Sequence, residues 1–126
     1  MGDVDVMRAH LARSQAVLSI LEKDGISLTT PRRINIFFWC PSAESAQGIA
    51  RGMGARGYLD IVTSEPSNPS GDGRDSWWSA QGEIVERPSV VAAAEFTGAI
   101  VAFADEYGAE FDGWGTGYSE GEGAPA

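Results

Sequence analysis

Glu110-Phe-Asp-Gly-Trp-Gly-Thr-Gly-Tyr118 brings aromatic residues, acids and glycines together in one short segment near the C-terminus. Phe111, Trp114 and Tyr118 favour a pleated, half-buried surface, whereas Gly113, Gly115 and Gly117 weaken a strand and mark a bulge or a close backbone approach. The segment reads as a last β-strand with an irregularity built into it. That reading decides the fold, because it closes a pattern of alternating strands and helices. Strict alternation puts Asp112, Trp114, Thr116 and Tyr118 on one face and Phe111 on the other, which makes Phe111 the core residue. Trp114 has two candidate roles, a plug beneath an N-terminal helix or a contact with a partner.

Working outward, Pro88-Ser89 starts a helix in which Phe96, Ile100, Phe103 and Tyr107 recur at steps of four, three and four, with Gly108 as its stop. Ser76 to Glu86 reads as a strand through Trp77, Trp78, Ala80, Ile84 and Val85, bent at Gly82. The turn-rich Pro66 to Asp75 joins it to a strand from Tyr58 to Glu65, with Leu59 and Ile61 inward and Asp60 outward. These two strands form a long hairpin, since antiparallel neighbours need only a loop between them. Upstream, Ser42 is the expected N-cap of a helix carrying Ala46, Ile49, Ala50 and Met53, ended by Gly57. Gly48, Gly52 and Gly54 each cost that helix about 1 kcal/mol relative to Ala, and are expected to let it sit close against the sheet. Arg32 to Cys40 is the first strand: Ile34, Ile36 and Phe38 point one way, and Arg33, Asn35, Phe37 and Trp39 the other. Ser27 to Pro31 is a polar connector. Asp3 to Asp24 is a leading helix with Met7, Leu11, Val17, Leu18 and Leu21 on its apolar stripe and Gly25 as its stop.

The order is a helix followed by β-α-β-β-α-β. The expected fold is α+β, a ferredoxin-like four-stranded antiparallel sheet with two helices on one face. The extra N-terminal helix covers an edge, an end or part of the open face. A single domain over residues 1–118 is expected, with 119–126 as a flexible Gly/Glu/Pro/Ala-rich tail.

The chain has 126 residues, 43% hydrophobic and 21% charged, which excludes general disorder. Its net charge of −9 is asymmetric. Through Gly57 there are seven basic and five acidic residues; from Tyr58 onward there are two basic and thirteen acidic, so that +2 and −11 give −9. Such an acidic half repels phosphate, which argues against direct nucleic-acid binding and for a basic protein partner. No apolar run is long enough to span a bilayer, and the acids at Asp3 and Asp5 do not suit a signal peptide. With Cys40 the single cysteine, the expected location is the cytoplasm.

Residues for catalysis or cofactor binding do not assemble. Cys40 and His10 stand in different elements without a third orienting group, Asp72 and Asp75 lack the further ligands of a calcium loop, and no cofactor or metal is expected. Gly113 to Gly117 lacks the Lys and following helix of a phosphate loop. The acid pairs Asp105-Glu106 and Glu110/Asp112 suit docking or plain solvation better than catalysis. Exposed Phe37, Trp39 and one of Trp77 and Trp78 raise an RNA-stacking reading, but the basic RNA-recognition run is missing.

Ala104-Asp-Glu-Tyr-Gly-Ala-Glu-Phe-Asp-Gly-Trp-Gly-Thr116, supported by Leu18-Ser-Ile-Leu-Glu-Lys-Asp-Gly25 and by Gly57-Tyr58, resembles the regulator of ribonuclease E activity B family. Relatives can carry a long acidic tail, where this chain has Glu120 and Glu122 in a short Gly-rich end. The resemblance implies a cytoplasmic, non-enzymatic regulator that binds ribonuclease E, or a related basic RNA-processing protein, and restrains its cleavage of RNA. The residues expected to meet that partner are Asp105, Glu106, Glu110, Asp112, Trp114 and Thr116. The alternative is an interaction or ligand-binding module that uses the aromatic open face, as a homodimer for example.

Overall fold

The computed structural model describes residues 2–71 and 73–116 of the chain. Gly117, Tyr118 and the expected 119–126 tail lie outside the described residues, as does Asp72. The elements are α1 (Gly2–Lys23), β1 (Arg32–Cys40), α2 (Ala43–Ala55), β2 (Leu59–Ser64), a 3-10 turn (Gly73–Ser76), β3 (Trp78–Glu86), α3 (Pro88–Val91), α4 (Ala94–Asp105) and β4 (Glu110–Gly115). The sheet order is β2-β3-β1-β4, antiparallel throughout. This is the expected ferredoxin-like arrangement with an added N-terminal helix.

β1 is one of the two inner strands, beside β3, and it buries one complete face. Ile34, Ile36, Phe38 and Cys40 are all buried, while the intervening residues are only half-covered or exposed. The register with β3 is unbroken from Arg32↔Glu86 to Cys40↔Trp78. Gly82 therefore introduces no register shift against β1. It lies opposite Ile36, and a Cβ there would come within 2.9 Å of Met53 Sδ.

The Ser42 cap of α2 forms as expected, its Oγ accepting the Ser45 amide at 3.1 Å. Gly48 and Gly52, however, serve a helix contact and not the sheet. A Cβ would fall 2.4 Å from Tyr107 Cδ1 at the first position and 2.5 Å from Phe103 Cε1 at the second. Those rings follow from α4, so the glycines set how closely the two helices approach.

The expected single last helix is broken. Ala93 is extended (φ −71°, ψ 150°) and separates α3 from α4. Helix propensity does not explain a break within alanines; Val91, Ala92 and Thr97 are all buried there, and tertiary packing overrides the local preference. The β2 alternation is broken too. Leu59 pairs with Glu83 but Val62 with Gln81, so one extra residue is accommodated between them, and Asp60 takes φ 47°. Ile61 packs onto the core as expected, whereas Leu59 is turned to the open face and is 42% exposed.

α1 packs on α4 and along β4, the sheet edge. Its buried line is His10, Ser14 and Leu21, with Val17 and Leu18 partly covered. Met7 and Leu11, expected on the stripe, are half-exposed. Two polar residues thus occupy the centre of the helix's inner face.

Candidate functional site

The site is built where α1, α4 and β4 meet. Gly113 has φ 131°, a conformation L-residues rarely adopt, and the β1–β4 register shifts beside it: Phe38 pairs with Phe111, Phe37 with Gly113 and Ile36 with Trp114. Asp112 is the extra residue of this bulge. Phe38 and Ile36 both face the core, so Phe111 and Trp114 do too. The expected irregularity is present, and Phe111 is in the core as expected. The alternation that put Trp114 on the face of Asp112 and Thr116 is wrong, because the inserted residue reverses the side on which the following ones emerge.

Trp114 is 8% exposed, and its indole Nε1 donates to Ser14 Oγ at 2.8 Å. That bond explains why a buried serine sits on α1: it satisfies an indole N–H that would otherwise be buried without an acceptor. Of its two candidate roles, the indole takes the one beneath the N-terminal helix. Thr116 is also occupied within the fold. Its Oγ1 donates to the Arg33 carbonyl and accepts from Arg32 Nε, both at 2.8 Å, which ties the end of β4 to the start of β1.

The four acids behave differently. Asp105 and Glu106 close α4, Glu110 opens β4 opposite Trp39, and Asp112 caps the bulge; all four are exposed. Asp105, Glu110 and Asp112 line a groove of about 650 Å³ between α1, α4 and β4. Glu106 lies outside it. Met7 and Val101 give the groove apolar wall, while His10 and Arg13 contribute from α1. A smaller cavity of about 300 Å³ continues between α1 and β4 past Ser14 and Phe37.

His10 is the residue that sequence reasoning left without a functional place. It is 5% exposed, its ring lies 4.7 Å from that of Phe111, and its Nδ1 accepts from Arg13 Nη2 at 2.7 Å. Burial, reinforced by the Arg13 guanidinium, lowers its pKa from 6.5, and the nearby Asp112 carboxylate opposes the shift. The ring is therefore neutral at neutral pH. The available signal was the line 10-14-17-21 along α1, steps of four, three and four hidden by two polar residues.

Cys40 is fully buried and burial pushes its thiol pKa up, against the lowering effect of the Ser45 hydrogen bond, so it is a poor nucleophile. Among the described residues, no group of three or more His, Cys, Asp or Glu side chains is placed to hold a metal. No helix of the described residues is long and apolar enough to cross a membrane.

Residues 11–116 match the family described as Regulator of ribonuclease activity B. The chain belongs to that family. The comparison with curated proteins returned no match. The match runs from within α1 to Thr116, so the α4 and β4 walls of the groove in this RraB-family protein fall inside it, while Val6, Met7, Ala9 and His10 on α1 precede it. Function in the family is regulation of ribonuclease activity, which directs attention to surfaces that meet another protein.

Proposed function

We propose that this RraB-family protein restrains RNA cleavage by binding an endoribonuclease, ribonuclease E or a related basic RNA-processing protein, in the cytoplasm and without chemistry of its own. The observation that carries the reading is the exposure of Asp105, Glu106, Glu110 and Asp112 within one helix end and the strand that follows it. Carboxylates so placed attract a basic surface, speeding and orienting encounter more than adding affinity. They repel the phosphates of RNA, so the protein engages the enzyme and not its substrate. Retention of a ribonuclease by the immobilised protein from a cell extract, weakening as salt is raised, is the expected result. A cleavage assay with the purified ribonuclease should slow as the protein is added; unchanged cleavage at saturation removes the inhibitory claim.

The sheet's open face supports a second reading, a homodimer. Val62 and Val85 are 48% and 57% exposed on it together with Leu59, and half-buried Phe37 and Trp39 adjoin them. Light scattering across a concentration series decides: a constant monomer mass eliminates this reading.

A further inference from the structure

We infer that two copies of this chain pack sheet against sheet, about a twofold axis that lies between β1 and β3 and runs along them. The inference rests on the homodimer reading above and gives that dimer its geometry. Among the described residues, three of the five exposed large hydrophobic side chains, Leu59, Val62 and Val85, stand on the open face, and the other two are on α1. An apolar patch gathered on one face marks an interaction surface.

The strand pairings make this face complementary to itself. One row across the sheet reads Leu59, Glu83, Asn35, Gly115, and the next reads Val62, Gln81, Phe37, Gly113. Each row begins on β2 with a protruding side chain and ends on β4 with none. The space above the glycines is open: among the described residues, a Cβ at Gly113 would meet nothing within 4 Å beyond its chain neighbours, and one at Gly115 only Phe37 Cε2, at 3.8 Å. The cavity of about 300 Å³ between α1 and β4 is lined by Gly113 and Phe37. A twofold axis along the strands lays β2 of each copy over β4 of the other, so Leu59 meets Gly115, Val62 meets Gly113, and every contact occurs twice. Sheets stacked about 10 Å apart, with strands within about 30° of each other, interdigitate in this way.

A polar group on the same face is left incomplete in the single chain. Glu83 Oε2 is buried and accepts no hydrogen bond from the described residues; Arg33 Nη1 stands 3.3 Å away as an ion pair without hydrogen-bond geometry. A buried acceptor without a donor is costly. The same axis brings β3 of one copy over β1 of the other, which sets Glu83 over Asn35, and the Asn35 side-chain amide supplies the donor.

Charge favours a second copy as the occupant. Each chain carries −9, yet on this face Arg33 lies 3.5 Å from Asp60 and 3.3 Å from Glu83, while Asp105 and Glu106 close α4 on the other side of the sheet. Two acidic molecules therefore meet here with little of the repulsion that their helical sides would bring. Four strands span roughly 19 Å and six residues roughly 20 Å, so two copies cover about 800 Å² in projection. Side-chain relief raises this toward the ~1,200 Å² at the low end of stable interfaces, so the dimer is weak and forms over the micromolar range.

The test follows the mass by sedimentation from micromolar to millimolar concentration and, in a mixture of isotope-labelled and unlabelled protein, the NOEs between copies. Contacts from the Leu59 and Val62 methyls to the α-protons of Gly115 and Gly113 are expected. Within one copy those residues lie on opposite margins of the sheet, roughly 14 Å apart and beyond the reach of an NOE. Gly115→Leu fills the hollow and should weaken association at least tenfold. Leu59→Gly alone should weaken it several-fold, but added to Gly115→Leu it exchanges knob and hollow and should restore most of the affinity, which a folding defect would not allow. Asn35→Ala should cost several-fold. A dimer whose NOEs join β2 to β2, or one that Gly115→Leu leaves unweakened, overturns this arrangement and leaves the homodimer reading standing. A constant monomer mass removes both. The wild-type NOEs decide by themselves if a variant fails to fold.

Discussion

At the scale of single residues, Trp114 and His10 fix the seat of α1. Removing the indole N–H in Trp114→Phe takes away the bond to Ser14 and leaves a buried hydroxyl without its donor; a loss of about 1–2 kcal/mol is expected in urea unfolding. Trp114→Ala empties the site and should cost about 3–5 kcal/mol. The His10 prediction concerns pH. Its folded pKa is depressed below 6.5, so below that value the unfolded chain binds more protons at this ring than the folded protein does. Stability therefore rises with pH through this window and is lost as pH falls from 6.5 toward the folded value. Arg13 strengthens the effect and Asp112 opposes it. Unfolding midpoints at about pH 7.5 and about pH 5.5 should differ in that direction, and His10→Gln should flatten the difference. The place of Trp114 beneath α1 was one of the two roles expected of it, whereas the settings of His10 and Ser14 were not legible beforehand. A polar side chain breaks the apolar pattern by which inner faces are recognised, and the partner that makes Ser14 tolerable lies 100 residues away.

Among the elements, β4 shows what a sequence does and does not reveal about a strand. Three glycines among aromatics announced an irregularity, and Gly113 at φ 131° supplies it. The position of the extra residue is invisible to alternation, and a displacement of one inverts every side chain after it. β2 repeats the lesson at Asp60, where Leu59 turns outward against its hydrophobic character. Gly113→Ala must hold a Cβ at that φ, and a destabilisation of about 1–3 kcal/mol is expected in thermal or urea melts. In α2, Gly52→Ala would drive a methyl into Phe103, at 2.5 Å. Overpacking of that kind should cost about 1–3 kcal/mol, in spite of alanine's better helix propensity. The strands, the Ser42 cap and the Gly108 stop were readable because they depend on local chemistry. The break at Ala93 was not, since it serves the burial of Val91 and Thr97.

For the whole molecule, the order of elements was enough to foretell the sheet, because few topologies accommodate β-α-β-β-α-β. The charge asymmetry was equally plain, and it pointed to the acids that the structure arranges around the groove. Where α1 docks was beyond the sequence: its stripe fits an edge, an end or a face equally well. The charge makes a prediction at this scale. If a basic ribonuclease is the partner, raising salt from about 0.05 M to about 0.5 M shortens the screening length to a few ångströms and should slow association more than it speeds dissociation. Stopped-flow or surface-based rates at the two salts test this.

Both margins of the sheet carry a safeguard against runaway self-assembly. An open β-sheet ends in two rows of backbone groups able to recruit further strands. Here one row, on β4, runs beside α1, fastened through Trp114 and Ser14. The other, on β2, is kinked at Asp60, whose carboxylate is also paired with Arg33 at 3.5 Å. A charged, bent border is a poor template for a neighbour's strand. The same residue that spoils the regularity of β2 thus guards an acidic, aromatic-rich chain against stacking into fibres.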